Sequence, residues 1–131
     1  MATNIISAVG RRKTAIATVR MHKADGNSLT VNGKSPKDYF KTTERANVSQ
    51  EAFGKAEATD NYAVIAYVVG GGIAAQADAV RHAISRALIK VEPRTRAVLK
   101  TAKFLMRDPR AKERKKPGLV KARKRKQWSK R

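Results

Sequence analysis

Three stretches hold residue types that could do chemistry. The first is Gly10-Arg11-Arg12-Lys13-Thr14, three cations beside a glycine. It has the look of the end of a P-loop. That motif, however, needs glycines where Ser7 and Arg12 stand, and a helix where a strand is expected to follow. A solvated charged turn is the plain alternative. Between the two lies a knuckle at a turn or bulge of a sheet, from which Gly10, Arg11, Arg12 and Lys13 touch phosphate. The second stretch is Gly70-Gly71-Gly72. Glycine permits a tight strand-to-helix connection, and it also permits close approach of backbone N–H groups to phosphate at a helix start. Gly70, Gly72 and Ala75 match the looser dinucleotide spacing, but no strand is expected after the helix to supply a ribose-binding acid.

The third stretch is RDPRAKERKKPGLVKARKRKQWSKR, residues 107–131. A solvated tail or a localisation signal would share its composition. Three features favour an RNA-binding extension: a break at Pro117-Gly118, apolar residues (Leu119, Val120, Trp128) scattered among the cations, and a terminal Lys130-Arg131. In such a segment Lys121, Arg123, Lys124, Arg125 and Lys126 would neutralise phosphates, and Trp128 would stack on a base or ribose. A chain of this kind meets its ordering cost on binding. From Pro117 to Arg131 it could reach roughly 50 Å when extended.

Catalytic and metal chemistry find little support. There is no cysteine, and His22 and His82 have no convincing carboxylate spacing, so no metal or cofactor is expected. Ser, His and Asp occur without a nucleophile elbow. Both histidines read as surface residues, available to RNA at most. An enzyme is the disfavoured class, with a small nucleotide-dependent enzyme and a free-standing nucleic-acid chaperone as rival readings.

The elements that must position these stretches follow from periodicity. Ile5–Val9 and Ala15–Lys23 read as strands, the second alternating Ala15, Ala17, Val19 and Met21 against Ile16, Thr18, Arg20 and His22. Asp25-Gly26-Asn27 predicts a turn, with Leu29–Val31 pairing back as a hairpin. Ser35-Pro36 predicts a helix cap and first position for a short helix through Tyr39-Phe40. Residues 41–60 are hardest to read: Thr43 or Ser49 could cap a helix toward Ala58. NYAVIAYVV, residues 61–69, is apolar on both faces and predicts a central strand. A helix follows over 73–91. Ile73, Ala77, Val80, Ile84, Ala87, Leu88 and Val91 share its apolar face, Asp78, Arg81, His82, Ser85 and Arg86 lie on or near the other, and Ile89 points outward. Glu92-Pro93 stops it and Pro93 starts another through Leu99 to about Lys103. The order suggests an α+β sandwich, with helices on one face of a small, mostly antiparallel sheet.

Charge divides the chain. Residues 1–100 carry 16 Lys/Arg and 8 Asp/Glu, whereas 101–131 carry 14 and 2, together giving +20 over 131 residues. Self-repulsion of that size calls for a polyanion, nucleic acid first and an anionic membrane surface second. No stretch approaches the roughly 20 apolar residues of a membrane span, and MATNIISAVGRRK lacks the order of a secretory signal. The expected organisation is one soluble, intracellular chain with a body at 1–104 and a basic tail at 105–131.

Three blocks carry a resemblance. GRRKTAIATV at 10–19, VVGGGIAAQADAVRHAISRAL at 68–88 and the segment 105–131 cover nearly half the chain. In that order they are similar to the bacterial type of the universal S-nine family of small-subunit ribosomal proteins. The resemblance implies a two-layer α/β sandwich like the second domain of ribosomal protein S-five, with a left-handed β-α-β crossover and an extended basic C-terminal tail. It implies a place in the head of the small subunit of a cytoplasmic ribosome, with a plastid ribosome left open. Implied partners are small-subunit rRNA, peptidyl-site tRNA and neighbouring head proteins, with no membrane. The tail tip, Ser129, Lys130 and Arg131, would contact the tRNA anticodon stem-loop, with Arg131 on a phosphate. Gly10 to Lys13, Gly70 to Gly72, and Arg107, Arg110, Lys112, Arg114, Lys115 and Lys116 would face rRNA. Two departures stand out: Trp128 replaces the usual Phe or Tyr, and residues 41–60 lack the family's Arg-x-Pro-Leu stretch.

Overall fold

The computed structural model describes residues 4–130. Its elements are β1 (Ile6–Arg12), β2 (Ala15–Ala24), β3 (Ser28–Val31), α1 (Pro36–Phe40), α2 (Thr43–Ala56), β4 (Asn61–Val69) and α3 (Ile73–Val91). A 3-10 turn at Pro93–Thr95 then leads into α4 (Arg96–Thr101). The four strands form one mixed sheet in the order β1-β2-β4-β3. β1 pairs with β2 and β2 with β4, both antiparallel, while β3 runs parallel to β4.

The parallel pairing corrects the expected hairpin. Strand β2 already spends its free edge on β4. Around Asp25–Asn27, Asn27 Oδ1 accepts from Tyr62 N at 2.9 Å, and Asn61 Nδ2 donates to Asp25 O at 2.9 Å. The turn is thus tied to the start of β4, and the chain crosses over to β4's far edge. At the other end of β3, Asn32 carries the pairing on with its side chain. Its Oδ1 accepts from Val68 N at 2.9 Å and its Nδ2 donates to Val68 O at 3.0 Å.

Strand alternation divides the sheet into two faces. Ala17, Val19, Met21, Val64, Ala66 and Val68 point into the core and are buried. β4 is central, as its sequence predicts, but only one of its faces is covered: Ile65, Tyr67 and Val69 are exposed. The helical layer lies on the inner face. Phe40, Leu88 and Leu99 are fully buried there, each worth about 1.5–3 kcal/mol of transfer free energy. Helix α3 packs on β1 and β2, and α2 lies against α3.

Helix α1 begins as expected, with Ser35 Oγ accepting from Asp38 N at 3.3 Å and Pro36 in the first turn. Helix α2 is capped by Thr42, whose Oγ1 accepts from Arg45 N at 3.4 Å, so Thr43 is its first residue and Ser49 an interior one. Its buried stripe is Ala46, Ser49, Ala52 and Ala56. Ser85 is buried in α3 as well, with its hydroxyl donating to Arg81 O at 2.8 Å. Ile73, expected in the apolar face, is partly exposed, and Ile89 packs against the core. α4 ends at Thr101, two residues before the expected Lys103.

Candidate nucleic-acid interface

The four residues of the charged knuckle go to different places. Arg12 pairs with Ala15, so Lys13-Thr14 is a two-residue hairpin turn, with Lys13 at φ 52°. Gly10 lies in mid-strand, not at a turn or bulge, and is buried. A Cβ there would stand 2.2 Å from Ala79 O and 2.3 Å from Ala83 N, so glycine is what lets β1 close on α3. Arg12 also faces inward. Its side chain is 16% exposed, 2.6 Å from Asp108 and 3.5 Å from Asp78. The Asp108 contact is a charge pair rather than a hydrogen bond, since buried Nη1 has no suitably angled acceptor. Arg11 and Lys13 remain exposed.

Triple glycine 70–72 meets this hairpin. Gly70 and Gly71 have φ 72° and 65°. Cβ atoms on them would lie 2.7 Å from Thr14 O and 2.8 Å from Ala15 N. Sequence reasoning missed the side chains that hold the loop: Tyr39 OH donates to Gln76 Oε1 at 2.8 Å, and Gln76 Nε2 donates to Gly70 O at 3.0 Å. Gly72 caps α3 and, like its neighbours, is exposed. Close packing explains Gly70 and Gly71 without any ligand.

Three basic residues of α3 line up with the outer edge of β1. His82 Nδ1 accepts from Arg11 N at 3.3 Å, Arg86 donates to Val9 O, and Lys90 Nζ donates to Ser7 O at 2.7 Å. Spacing four along the helix matches spacing two along the strand, so side chains satisfy an edge that otherwise invites another strand. His82 is therefore not a free surface histidine. Burial, with Arg86 and Arg107 nearby, lowers its pKa, which suits a ring nitrogen that must accept.

Residues 104–110 are tied to the same corner. Arg81 lies 4.7 Å from the Phe104 ring centroid and pairs with Glu51 at 2.8 Å. Arg107 Nη2 donates to Lys13 O at 3.2 Å. Asp108 receives Arg12 on one side and Arg110, at 2.7 Å, on the other. Hydrogen bonds from Arg110 foremost, and the Arg12 charge, hold the Asp108 carboxyl well below the usual carboxylate range. Asp108 is the missed residue here, a lone acid where the chain leaves the body. Sequence offered one signal for it: an acid directly between Arg107 and Arg110 in an acid-poor run.

Beyond Leu99 no described residue is buried. Pro117-Gly118 does mark a turn, with Gly118 at φ 80° and Leu119 N donating to Lys116 O at 3.3 Å. Pro then positive-φ glycine is the type II pattern. A small loop follows, closed by Val120 N to Lys124 O at 2.9 Å. Glu113 pairs with Lys116 and, at 2.9 Å, with Arg123. Arg114 makes one local bond, to Lys115 O at 3.3 Å. Among the described residues, Lys112, Lys115, Lys121, Lys124, Arg125, Lys126 and Lys130 have no protein acceptor within ion-pair or hydrogen-bond reach; Trp128 is 79% exposed. Ser129 is exposed too, and Arg131 lies outside the described residues.

A compact body that pairs Glu51, Asp60, Asp78 and Glu92 internally, joined to a run of cations lacking acceptors among the described residues, has the charge pattern of a polyanion-binding protein. No described helix is long and apolar enough to cross a membrane. A profile of the family described as ribosomal protein S9/S16 matches residues 10–131. The chain is 49% identical over 122 residues, 93% of each sequence, to the small ribosomal subunit protein uS9 of Desulfovibrio desulfuricans. It is 43% identical over 131 residues, the whole of both, to that of Lawsonia intracellularis. The chain belongs to the ribosomal protein S9/S16 family: it is a component of a ribonucleoprotein and not an enzyme.

Proposed function

We propose that this chain is a structural constituent of the small ribosomal subunit of a cytoplasmic ribosome, held by rRNA in the subunit head beside neighbouring head proteins. Body and tail divide the work. The body presents Arg11, Lys13 and the exposed glycine loop Gly70–Gly72 to rRNA phosphates. Gly10 and Arg12 act indirectly, by placing the hairpin and the start of the tail. Residues 105–131 form an extended basic tail threaded through rRNA. Arg107, Arg110 and Lys112 to Lys116 lie at its base, Lys121 to Lys126 along it, and Trp128 is a stacking anchor. Ser129, Lys130 and Arg131 reach the anticodon stem-loop of peptidyl-site tRNA. The fold belongs with the second domain of ribosomal protein S-five, and its crossover from β3 to β4 is left-handed.

The observation that carries this reading is the run of acceptor-less cations between Lys112 and Lys130 in a member of a ribosomal protein family. A solvated tail would gain nothing from so much uncompensated charge, whereas each phosphate contact releases a counterion. Small subunits carrying a chain without Ser129 to Arg131 should assemble but release peptidyl-site tRNA faster. Unchanged tRNA dissociation would refute the tip assignment. The full chain should also co-sediment with small subunits through high-salt gradients in equal amounts; complete loss, while other subunit proteins stay, would refute integral membership.

A further inference from the structure

The sheet's outer face has no helix on it among the described residues. Along it the register sets side chains in rows: Arg11 beside Ile16 beside Val69, Val9 beside Thr18 beside Tyr67, and Ser7 beside Arg20 beside Ile65. Tyr67 is 51% exposed, Val69 63% and Ile65 40%. The Arg20 guanidinium lies 5.9 Å from the Tyr67 ring centroid. Strand residues on this face include two arginines and His22, and no carboxylate among the described residues. Nearby acids gather at one end, where Asp60 pairs with Lys23 at 3.1 Å and Asp25 sits in the turn. At the opposite end the face runs into Lys13 and the glycine loop, and the nearby acids Asp78 and Asp108 are paired with Arg12, which faces inward.

We infer that this open face is a second RNA platform, taking an irregular or single-stranded rRNA segment with an unstacked base against Tyr67 and Arg20, and its backbone along Arg20 and Arg11. The inference rests on the small-subunit reading above and names a surface for it. Two properties select RNA over a protein partner. Charge complementarity points to an anion, because an acid-free face with exposed arginines would repel a basic ribosomal neighbour. An aromatic beside a guanidinium is the pair on which bases stack without sequence preference. Ile65 and Val69 would then shield the stacked base and ribose from water.

The test uses the full chain and a transcript of the head domain of small-subunit rRNA. Variants are Tyr67→Leu, which keeps apolar area and removes the ring, Arg20→Gln, and Lys37→Gln as a charge control on α1. Circular dichroism and melting confirm that each is folded. Tyr67→Leu should weaken binding about ten-fold. Arg20→Gln should lower the slope of log affinity against log salt by about 1, and Lys37→Gln should change neither. Protection of rRNA from hydroxyl radicals should shrink at one segment in both active variants. Equal binding and identical protection by all variants would overturn the platform. So would normal rRNA binding combined with loss of a neighbouring protein from reconstituted subunits, which would make the face a protein interface. Failure of the unaltered chain to bind the transcript would instead overturn the small-subunit reading itself.

Discussion

The body and the tail draw on one alphabet of charged residues and use it in opposite ways. In the body, several cations are held internally while others, Arg11 and Lys13 among them, stay exposed: Arg86 and Lys90 satisfy strand carbonyls, Arg81 holds Glu51 and Phe104, and Arg12 sits between Asp78 and Asp108. Among the described residues of the tail, only Arg107, Arg110, Lys116 and Arg123 find an acid or a carbonyl beyond the next residue. The body orders itself because alternating apolar residues supply a core, whereas no described residue of the tail is fully buried and, past the junction at 105–110, the tail has no core of its own. Charge count therefore says little about function until each charge is sorted by what it touches.

The contrast predicts that damage to folding and damage to RNA binding run in opposite orders. Gly10→Val should be the most harmful single change to the body, by about 3 kcal/mol or more in chemical denaturation, since its side chain would enter α3's backbone. A variant that melts like the parent would show that β1 and α3 are not held so close.

Glu92 comes next. It accepts from Tyr62 OH at 2.7 Å, Thr59 N at 3.1 Å and Asp60 N at 3.3 Å, joining the end of α3 to the start of β4. Glu92→Ala should cost about 1–3 kcal/mol. Those bonds, Tyr62's first, bring the Glu92 pKa from 4.5 to about 2. The pKa is depressed on folding, so this stabilisation is complete above pH 4.5 and is lost as pH falls toward 2. Burial first, and then Glu92, push the Tyr62 hydroxyl above its ordinary 10.0, so its share is present below that pH and lost above it. Melting midpoints against pH should fall on both sides, and Glu92→Ala should flatten the acid limb.

Asp108→Asn tests the junction. It should leave the core intact yet loosen residues 107–112, read as faster limited trypsin cleavage there; an unchanged rate would mean that Phe104 and Arg107 suffice. Deleting Pro117 to Arg131 should affect the body least, within about 0.5 kcal/mol. The same deletion removes seven Lys and Arg and should lower the salt slope of rRNA binding by up to about 5–6. A large drop in melting temperature would contradict the division itself.

Much of the architecture was legible. Strand β2, the Ser35 cap, the long α3 and the central place of β4 all follow from period and punctuation. α2 was faint because its buried stripe is alanine and serine, small residues that pack closely but add little apolar signal. The β3 pairing was misread because a turn signal fixes a reversal, not the strand that receives it. Among the described site residues, Arg11, Lys13 and the tail cations from Lys121 to Lys130 lie exposed, while Gly10 and Arg12 turn inward.

By itself the sequence determined the alternation, the helix caps, the break at Pro117-Gly118 and the concentration of charge after residue 100, because these depend on neighbours along the chain. Three matters needed the tertiary structure: which strand β3 joins, which arginines are consumed inside, and that His82, Arg86 and Lys90 seal the β1 edge. Each depends on groups more than 30 residues apart meeting within hydrogen-bond reach, and no local pattern encodes such a meeting.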